Sequence, residues 1–273
     1  MTMIPEMSLA DLKRKLERDL HVLVVAVSGA WGGLEQTALA DARELARQGL
    51  KVTLLVKEGS TLHKQADNFA TELKIETYPY QVRKFIDPAF VRATRQVIRR
   101  LSVNLVHCHQ GSLMASLVPA LIGLSGVSLV LSRHILNSHN KKNLFHAVLY
   151  RRVDYVLVLS ETMRRNLLST FPVAEKKLRI VNLGLDLGAF DPEKVDRSTM
   201  RAKWGIPEGR FLVGVVGRLD PMKRQDLLIK ALAGIRAQVP DVHGVLVGAE
   251  TPGLNGSYIK SLERTVKDLH MED

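Results

Sequence analysis

The residues best suited to chemistry stand at the ends of apolar runs. In GVVGRLDPMKRQDLLIKAL a buried run passes directly into Gly217-Arg218, and a turn then delivers Lys223 to the start of a helical stretch. A guanidinium, an ammonium and the bare amides of a helix N-terminus at one sheet edge can hold a diphosphate without a metal. The competing reading is a basic turn that only meets solvent. Upstream, VVAVSGAWGGLEQTALADARELARQGLKVTLLV places Gly32 and Gly33 between a strand and a helix. Either that turn needs positive φ, or backbone amides are kept bare for an oxygen-rich ligand. The Gly-x-x-Gly-Gly spacing does not match the dinucleotide fingerprint, and only Glu58 beyond the next strand favours NAD.

Two histidine motifs sit at comparable places. In His107-Cys108-His109-Gln110-Gly111 the strand period puts both histidines on one face and the thiol on the other. The three cannot converge, no further ligand is spaced nearby, and no metal or cofactor is expected. His109, at the strand tip, is a candidate for touching substrate. His134, in Ser132-Arg133-His134, reads either as a packing and hydrogen-bonding residue or as a catalytic one.

Such residues act together only if one sheet edge gathers them. Apolar runs of strand length fall at His21 to Val27, Lys51 to Val56, Lys74 to Tyr78, Asn104 to Cys108, Val127 to Leu131, Tyr155 to Leu159 and Arg179 to Asn182, with helical stretches between. Continuous Val/Leu runs joined by helices mean a parallel sheet covered on both faces, so the class is α/β, doubly wound. The helix Gly33 to Gln48 should pack through Leu34, Ala38, Ala42, Leu45 and Ala46. A further strand (Phe211 to Val216), helix (Gln225 to Gln238) and strand (Val242 to Val247) open a second sheet. The expected organisation is an N-terminal extension with a charged helix (1–20), a Rossmann-like domain (21–190), a linker (191–210) and an incomplete second Rossmann-like domain (211–273).

The 273 residues carry 39 Lys+Arg against 28 Asp+Glu, a net charge of +11 that favours an anionic partner. With aromatics at 5% and no aromatic-basic interleaving, nucleic acid is not that partner. Cys108 alone cannot form an internal disulfide, and the first twenty residues lack a signal-peptide pattern, so a cytoplasmic location is expected. Ser112 to Ser132 is free of charge, but Pro119, Gly123 and Gly126 break it into helix, turn and strand rather than a membrane span.

The collinear series of the Gly-Gly loop, the VHCH strand tip, VLVLSETMRRNLL, RIVNLGLDLGAFDP and VVGRLDPMKRQDLLIKAL resembles retaining glycosyltransferases of family 4, with the GT-B architecture, from about His21 onward. The resemblance implies two Rossmann-like domains, the first binding acceptor and the second a UDP- or GDP-sugar donor. It implies that Arg218 and Lys223 bind the donor diphosphate and are catalytic together with His134. Gly32, Gly33, His109 and Gly248 would line the donor and substrate site, and Asn182, Gly184 and Asp186 would be mainly structural. The family's paired-glutamate signature does not follow Gly248 here, so the chain is expected to be the front part of such an enzyme, inactive alone and prone to self-association. A glycan or lipid-linked acceptor, such as lipopolysaccharide core, is the expected partner. The alternatives are a non-catalytic binder of sugar nucleotides or polyanions and an NAD-dependent oxidoreductase. A basic run, Arg83, Lys84, Arg92, Arg95, Arg99 and Arg100, reads as a solvated helix face or, alternatively, as a surface resting on an anionic inner membrane.

Overall fold

The structure, a computed structural model, describes residues 19–73, 75–81, 86–185, 187–251 and 253–272. The chain falls into two compact units, Met1–Gly184 and Leu185–Asp273. The expected N-terminal helix lies almost wholly outside the described residues, as do Lys74, Arg83, Lys84 and Asp186.

The first unit is built on strands β1 (His21–Ala26), β2 (Lys51–Lys57), β3 (Glu76–Tyr80), β4 (Leu105–Cys108), β5 (Ser128–Arg133), β6 (Tyr155–Val158) and β7 (Leu178–Ile180). They form one parallel sheet in the order β3-β2-β1-β4-β5-β6-β7. Helices α1 (Gly33–Arg47) and α2 (Thr61–Leu73) cover one face, where Ala38, Leu39, Ala42 and Leu62 pack on Val22, Val24 and Ala26. Helices α3 (Pro88–Arg100), α4 (Met114–Ala120), α5 (Leu144–Arg152) and α6 (Glu161–Thr170) follow in the chain. From them Phe90, Ile98, Leu117, Leu149 and Leu167 join Leu23 and Val25 in the core of the other face. With helices on both sides, β1 has no solvent face, which is why HVLVVA shows no polar alternation. Each fully buried Val or Leu there contributes about 1.5–3 kcal/mol.

Local chemistry fixes the ends of these elements. Asp87 accepts hydrogen bonds from the amides of Ala89 and Phe90, and Pro88 takes the first helical position of α3. Pro79 is tolerated because β3 is an edge strand. β3 begins later than the apolar run suggested, and β5 continues through Ser132 and Arg133, so His134 is the first residue beyond it. The uncharged segment 112–132 resolves into α4, a turn with Gly123 and Gly126 at positive φ, and β5. Among the described residues no helix is long and apolar enough to cross a membrane.

The order of strands decides where function belongs. The connection from β1 leads to β2 on one side, whereas β4 lies on the other side of β1. Their helices cover opposite faces, and a crevice opens at the carboxyl ends of β1 and β4, the switch point of such sheets.

The second unit contains α7 (Arg197–Lys203), β8 (Phe211–Val216), α8 (Gln225–Ile235), β9 (Val242–Val247) and α9 (Ser257–Asp268). β8 and β9 pair in parallel. The 191–210 passage thus includes a helix, whose first turn is capped by Asp196 accepting from Ser198. Gly244 lets α8 close on β9, since a Cβ there would lie 2.6 Å from Leu232 Cδ1. No residue of β8 is fully buried.

Candidate functional site

In the first unit, the loop after β1 ends at Gly32, which caps α1 in an extended conformation (φ −145°). Neither Gly32 nor Gly33 has positive φ, so the turn-geometry reading of this pair fails. Packing does not demand glycine either: a Cβ on Gly33 would meet nothing within 4 Å, and one on Gly32 only Glu35 Oε2 at 3.5 Å. What remains is open space over a helix start to which Gly32 offers no side-chain cap. Glu35, almost fully buried, accepts the Gly32 amide at 2.9 Å and fixes the loop on the helix. The buried seam of α1 is therefore Glu35, Ala38, Leu39 and Ala42, while Leu34, Leu45 and Ala46 are only partly covered.

Beside this loop the structure assembles three imidazoles. His107 and His109 do share a face of β4, with Cys108 in the opposite core. The His107 and His109 rings lie 4.2 Å apart. The next strand supplies their partners: His107 Nε2 is 2.8 Å from Ser132 Oγ, and His109 Nδ1 is 3.2 Å from His134 Nε2. His109 and His134 stack at 5.3 Å with an interplanar angle of 11°. Burial, then the neighbouring His134, holds His107 down at about 4. Burial, then His107 and His134, holds His109 at about 2. His134, half-buried, is lowered by desolvation and then by Arg133, with Glu35 opposing. All three are neutral imidazoles at neutral pH. Burial also pushes the Cys108 thiol up to about 12, so it is no nucleophile.

His109 is 1% exposed, so it has no direct surface toward a ligand, and its contact toward the sheet edge is with His134. On its other side, His109 Nε2 stands 3.6 Å from Asp41 Oδ2 on α1. With His109 neutral this is not an ion pair, and Nε2 is buried without a hydrogen-bond partner. The segment His107-Cys108-His109 indeed cannot gather three ligands by itself. Asp41 supplies the third, and with His107 and His109 it offers donor atoms all within 4.8 Å of one another.

In the second unit, β8 ends at Val216, and Gly217, Arg218 and Leu219 lead to a turn held by Asp220. Asp220 accepts from the Met222 amide at 2.9 Å and from Thr251 Oγ1 at 2.6 Å. Those bonds keep its carboxyl below the usual range, with Arg218 and Lys223 adding smaller electrostatic contributions. Arg218 and Lys223 are exposed, and among the described residues neither side chain is paired with a carboxylate. Arg224, in the left-handed region at φ 54°, precedes α8 and provides no side-chain cap. Gln225 is fully buried: its Nε2 donates to Arg218 O at 2.8 Å, and its Oε1 accepts from Tyr258 at 3.2 Å. This bond ties the backbone of Arg218 to the first residue of α8. Gly248 touches protein rather than space, because a Cβ there would fall 1.9 Å from Gly217 O. Beyond it, Glu250 accepts from the amides of Gly256, Tyr258 (2.8 Å) and Ile259 (3.1 Å), filling the start of α9. Among the described residues, the start of α8 thus has no side-chain cap and lies beside exposed cations.

Other positions resolve as structural. Asn182 donates to Leu159 O at 3.0 Å, tying the end of β7 to β6. Arg95 is turned into the protein and donates to Ala120 O and Ile122 O at 3.3 and 2.6 Å, which leaves Arg92 and Arg99 as the exposed members of that face. Several residues of these sites, Glu35, Asp41, Asp220, Gln225 and Glu250 among them, were not singled out from sequence. Glu35 had a legible signal, an acid three residues after a helix-opening glycine, and Gln225 had its place beside the basic turn. Asp41 and Glu250 carried no local mark.

Comparison with known proteins bears on family and fold. Residues 31–189 match the model of Glycosyltransferase Family 4, and residues 196–273 that of Glycosyl transferases group 1. A D-inositol 3-phosphate glycosyltransferase of Nocardioides is 26% identical over 95% of this chain, which spans 62% of that protein's length. A GDP-mannose-dependent phosphatidylinositol monomannoside mannosyltransferase of Mycolicibacterium smegmatis is 34% identical over 42% of this chain and 28% of its own. Among solved structures, a glycosyltransferase from Rickettsia africae superposes with a TM-score of 0.78 at 17% identity, covering 94% of this chain and 67% of its own. Anabaena HepE in complex with UDP gives 0.70 at 19%, covering 93% and 67%. The fold is α/β of the GT-B type, and with more than half of its residues matched by one family model, the chain belongs to Glycosyltransferase Family 4.

Proposed function

We propose that this chain serves the retaining transfer of a hexose from a UDP- or GDP-sugar to a glycan or lipid-linked acceptor. The observation that carries the reading is the turn between β8 and α8, where unpaired Arg218 and Lys223 flank a helix start that no side chain caps. The UDP complex of Anabaena HepE and the GDP-mannose dependence of the M. smegmatis mannosyltransferase support either nucleotide as donor. In the proposed reaction the acceptor hydroxyl attacks the anomeric carbon from the side on which diphosphate leaves. The bond from that carbon to the diphosphate oxygen breaks, and the departing oxygen takes the hydroxyl proton. Charge growing on the diphosphate is met by Arg218, Lys223 and the first amides of α8. Removing one such group typically costs about 3 kcal/mol, roughly a hundredfold in rate.

In the first unit, the amides of α1 left open by Gly32 and Gly33 would receive an oxygen-rich part of a substrate. His134, with its Nε2 engaged by His109, would present Nδ1 to a sugar hydroxyl as a neutral hydrogen-bonding group. Calorimetric titration with UDP, GDP and NAD tests the reading. UDP or GDP should bind, and Arg218→Ala and Lys223→Ala should each weaken binding at least about tenfold. Binding of NAD alone, or nucleotide binding indifferent to both substitutions, would remove the basic turn from the function.

A further inference from the structure

We propose that Asp41, His107 and His109 bind one divalent transition-metal ion of the Zn²⁺ class inside the first unit, joining α1 to β4. This lies beyond the transfer reaction above, in which no step uses a metal. Two imidazoles and a carboxylate, with donor atoms all within 4.8 Å, form a donor set suited to zinc and its neighbours and unsuited to Mg²⁺ or Ca²⁺, which take oxygen. The 3.6 Å between His109 Nε2 and Asp41 Oδ2 is too long for a hydrogen bond. It is close to the separation of two donors on a tetrahedral ion, about 3.3 Å for metal–ligand bonds of about 2.0 Å. His109 Nε2 is buried and has no hydrogen-bond partner, a cost that an ion would remove.

The surroundings have the form that metal-bound histidines need. One nitrogen of each ring is engaged on β5 or just beyond it, His107 Nε2 on Ser132 and His109 Nδ1 on His134, so an ion would take His107 Nδ1 and His109 Nε2. The Asp41 side chain is 40% exposed, which gives an ion a way in from solvent. An ion on Nε2 places the His109 proton on Nδ1, so that His109 donates to His134 Nε2 and leaves His134 a donor at Nδ1. The ion would thereby set the hydrogen-bonding sense of His134 and hold α1, with its glycine loop, against the sheet.

The untagged chain, stripped with chelator and dialysed, is titrated with ZnCl₂ and with MgCl₂. Calorimetry, bound-metal analysis and thermal unfolding are read, and Co²⁺ serves as a spectroscopic probe. One Zn²⁺ per chain should bind and raise the unfolding temperature, Mg²⁺ should do neither, and Co²⁺ should show the intense visible bands of a four-coordinate site. Asp41→Asn and His109→Gln should each lower Zn²⁺ affinity at least about tenfold. Should His109→Gln not fold, Asp41→Asn, at a half-exposed position, still decides. His63→Gln, at the partly exposed His63–Asp67 pair 3.5 Å apart, is the control and should leave binding unchanged. Absence of stoichiometric Zn²⁺ binding, Zn²⁺ binding unchanged by Asp41→Asn, or binding lost with His63→Gln overturns the proposal.

Discussion

Gly248→Ala separates two roles for one glycine. If Gly248 only leaves room for a ligand, alanine weakens nucleotide binding and leaves the fold intact. The structure gives a different expectation, because an added Cβ would stand 1.9 Å from Gly217 O and 2.8 Å from Gly217 C, at a φ of +155°. Both neighbours are backbone, so no side chain can swing away, and the ends of β8 and β9 must part by more than about 1 Å to restore ordinary contact. The bonds from Gly217 N to Val247 O and from Leu219 N to Ala249 O, both 2.9 Å, span this gap. Losing both costs about 2 kcal/mol, and residual overpacking adds about 1–3 kcal/mol. A loss of about 3–5 kcal/mol is a large part of the stability of an ordinary domain, about 5–15 kcal/mol. Urea denaturation should show a lower midpoint, and hydrogen exchange should quicken at the amides of Gly217, Leu219 and Thr251. Because Arg218 follows Gly217, UDP or GDP binding should weaken as well. An unchanged midpoint with unchanged exchange at these amides would refute the steric reasoning.

Gly33→Asp should fold normally, since a Cβ there meets nothing within 4 Å and an acid suits a helix start. If the α1 amides receive a donor or acceptor oxygen, the same substitution should reduce sugar-nucleotide turnover at least about tenfold in an enzyme carrying this unit, and normal kinetics with a normal melting curve would remove Gly33 from the site. Arg95→Ala should destabilise the first unit by about 1–2 kcal/mol in chemical denaturation, because it strips two hydrogen bonds from the carbonyls of Ala120 and Ile122. Arg92→Ala, on the exposed part of the same helix, should change stability by less than about 0.5 kcal/mol.

Much of this organisation follows from local rules. The strands of both units were legible because a chain buried on both faces can use only apolar residues there, and because helical stretches separate the runs. β3 and β5 shifted by about two residues because Pro79 can still sit on an edge strand and Ser132 still pairs inside the sheet. The placing of His107 and His109 opposite Cys108 was fixed by the two-residue period of a strand. So was the choice of strand ends as the place to look, since parallel sheets expose their loops there.

Partnership was decided elsewhere. Arg95 looked like part of a basic face, yet the turn after α4 brings two carbonyls under its guanidinium. Gly248 looked like a glycine kept for a ligand, yet the pairing of β8 with β9 brings Gly217 O against it. Asp41 gave no sign of belonging with the histidines, because its helix packs over β1 and β2 and only the Asp41 side chain comes within 3.6 Å of His109. Sequence by itself determined the period, class and edge of this fold, because those depend on neighbours in the chain. Only the tertiary structure decided that Asp41 faces His109, and that Gln225 holds Arg218, because such meetings depend on how helices cross a twisted sheet.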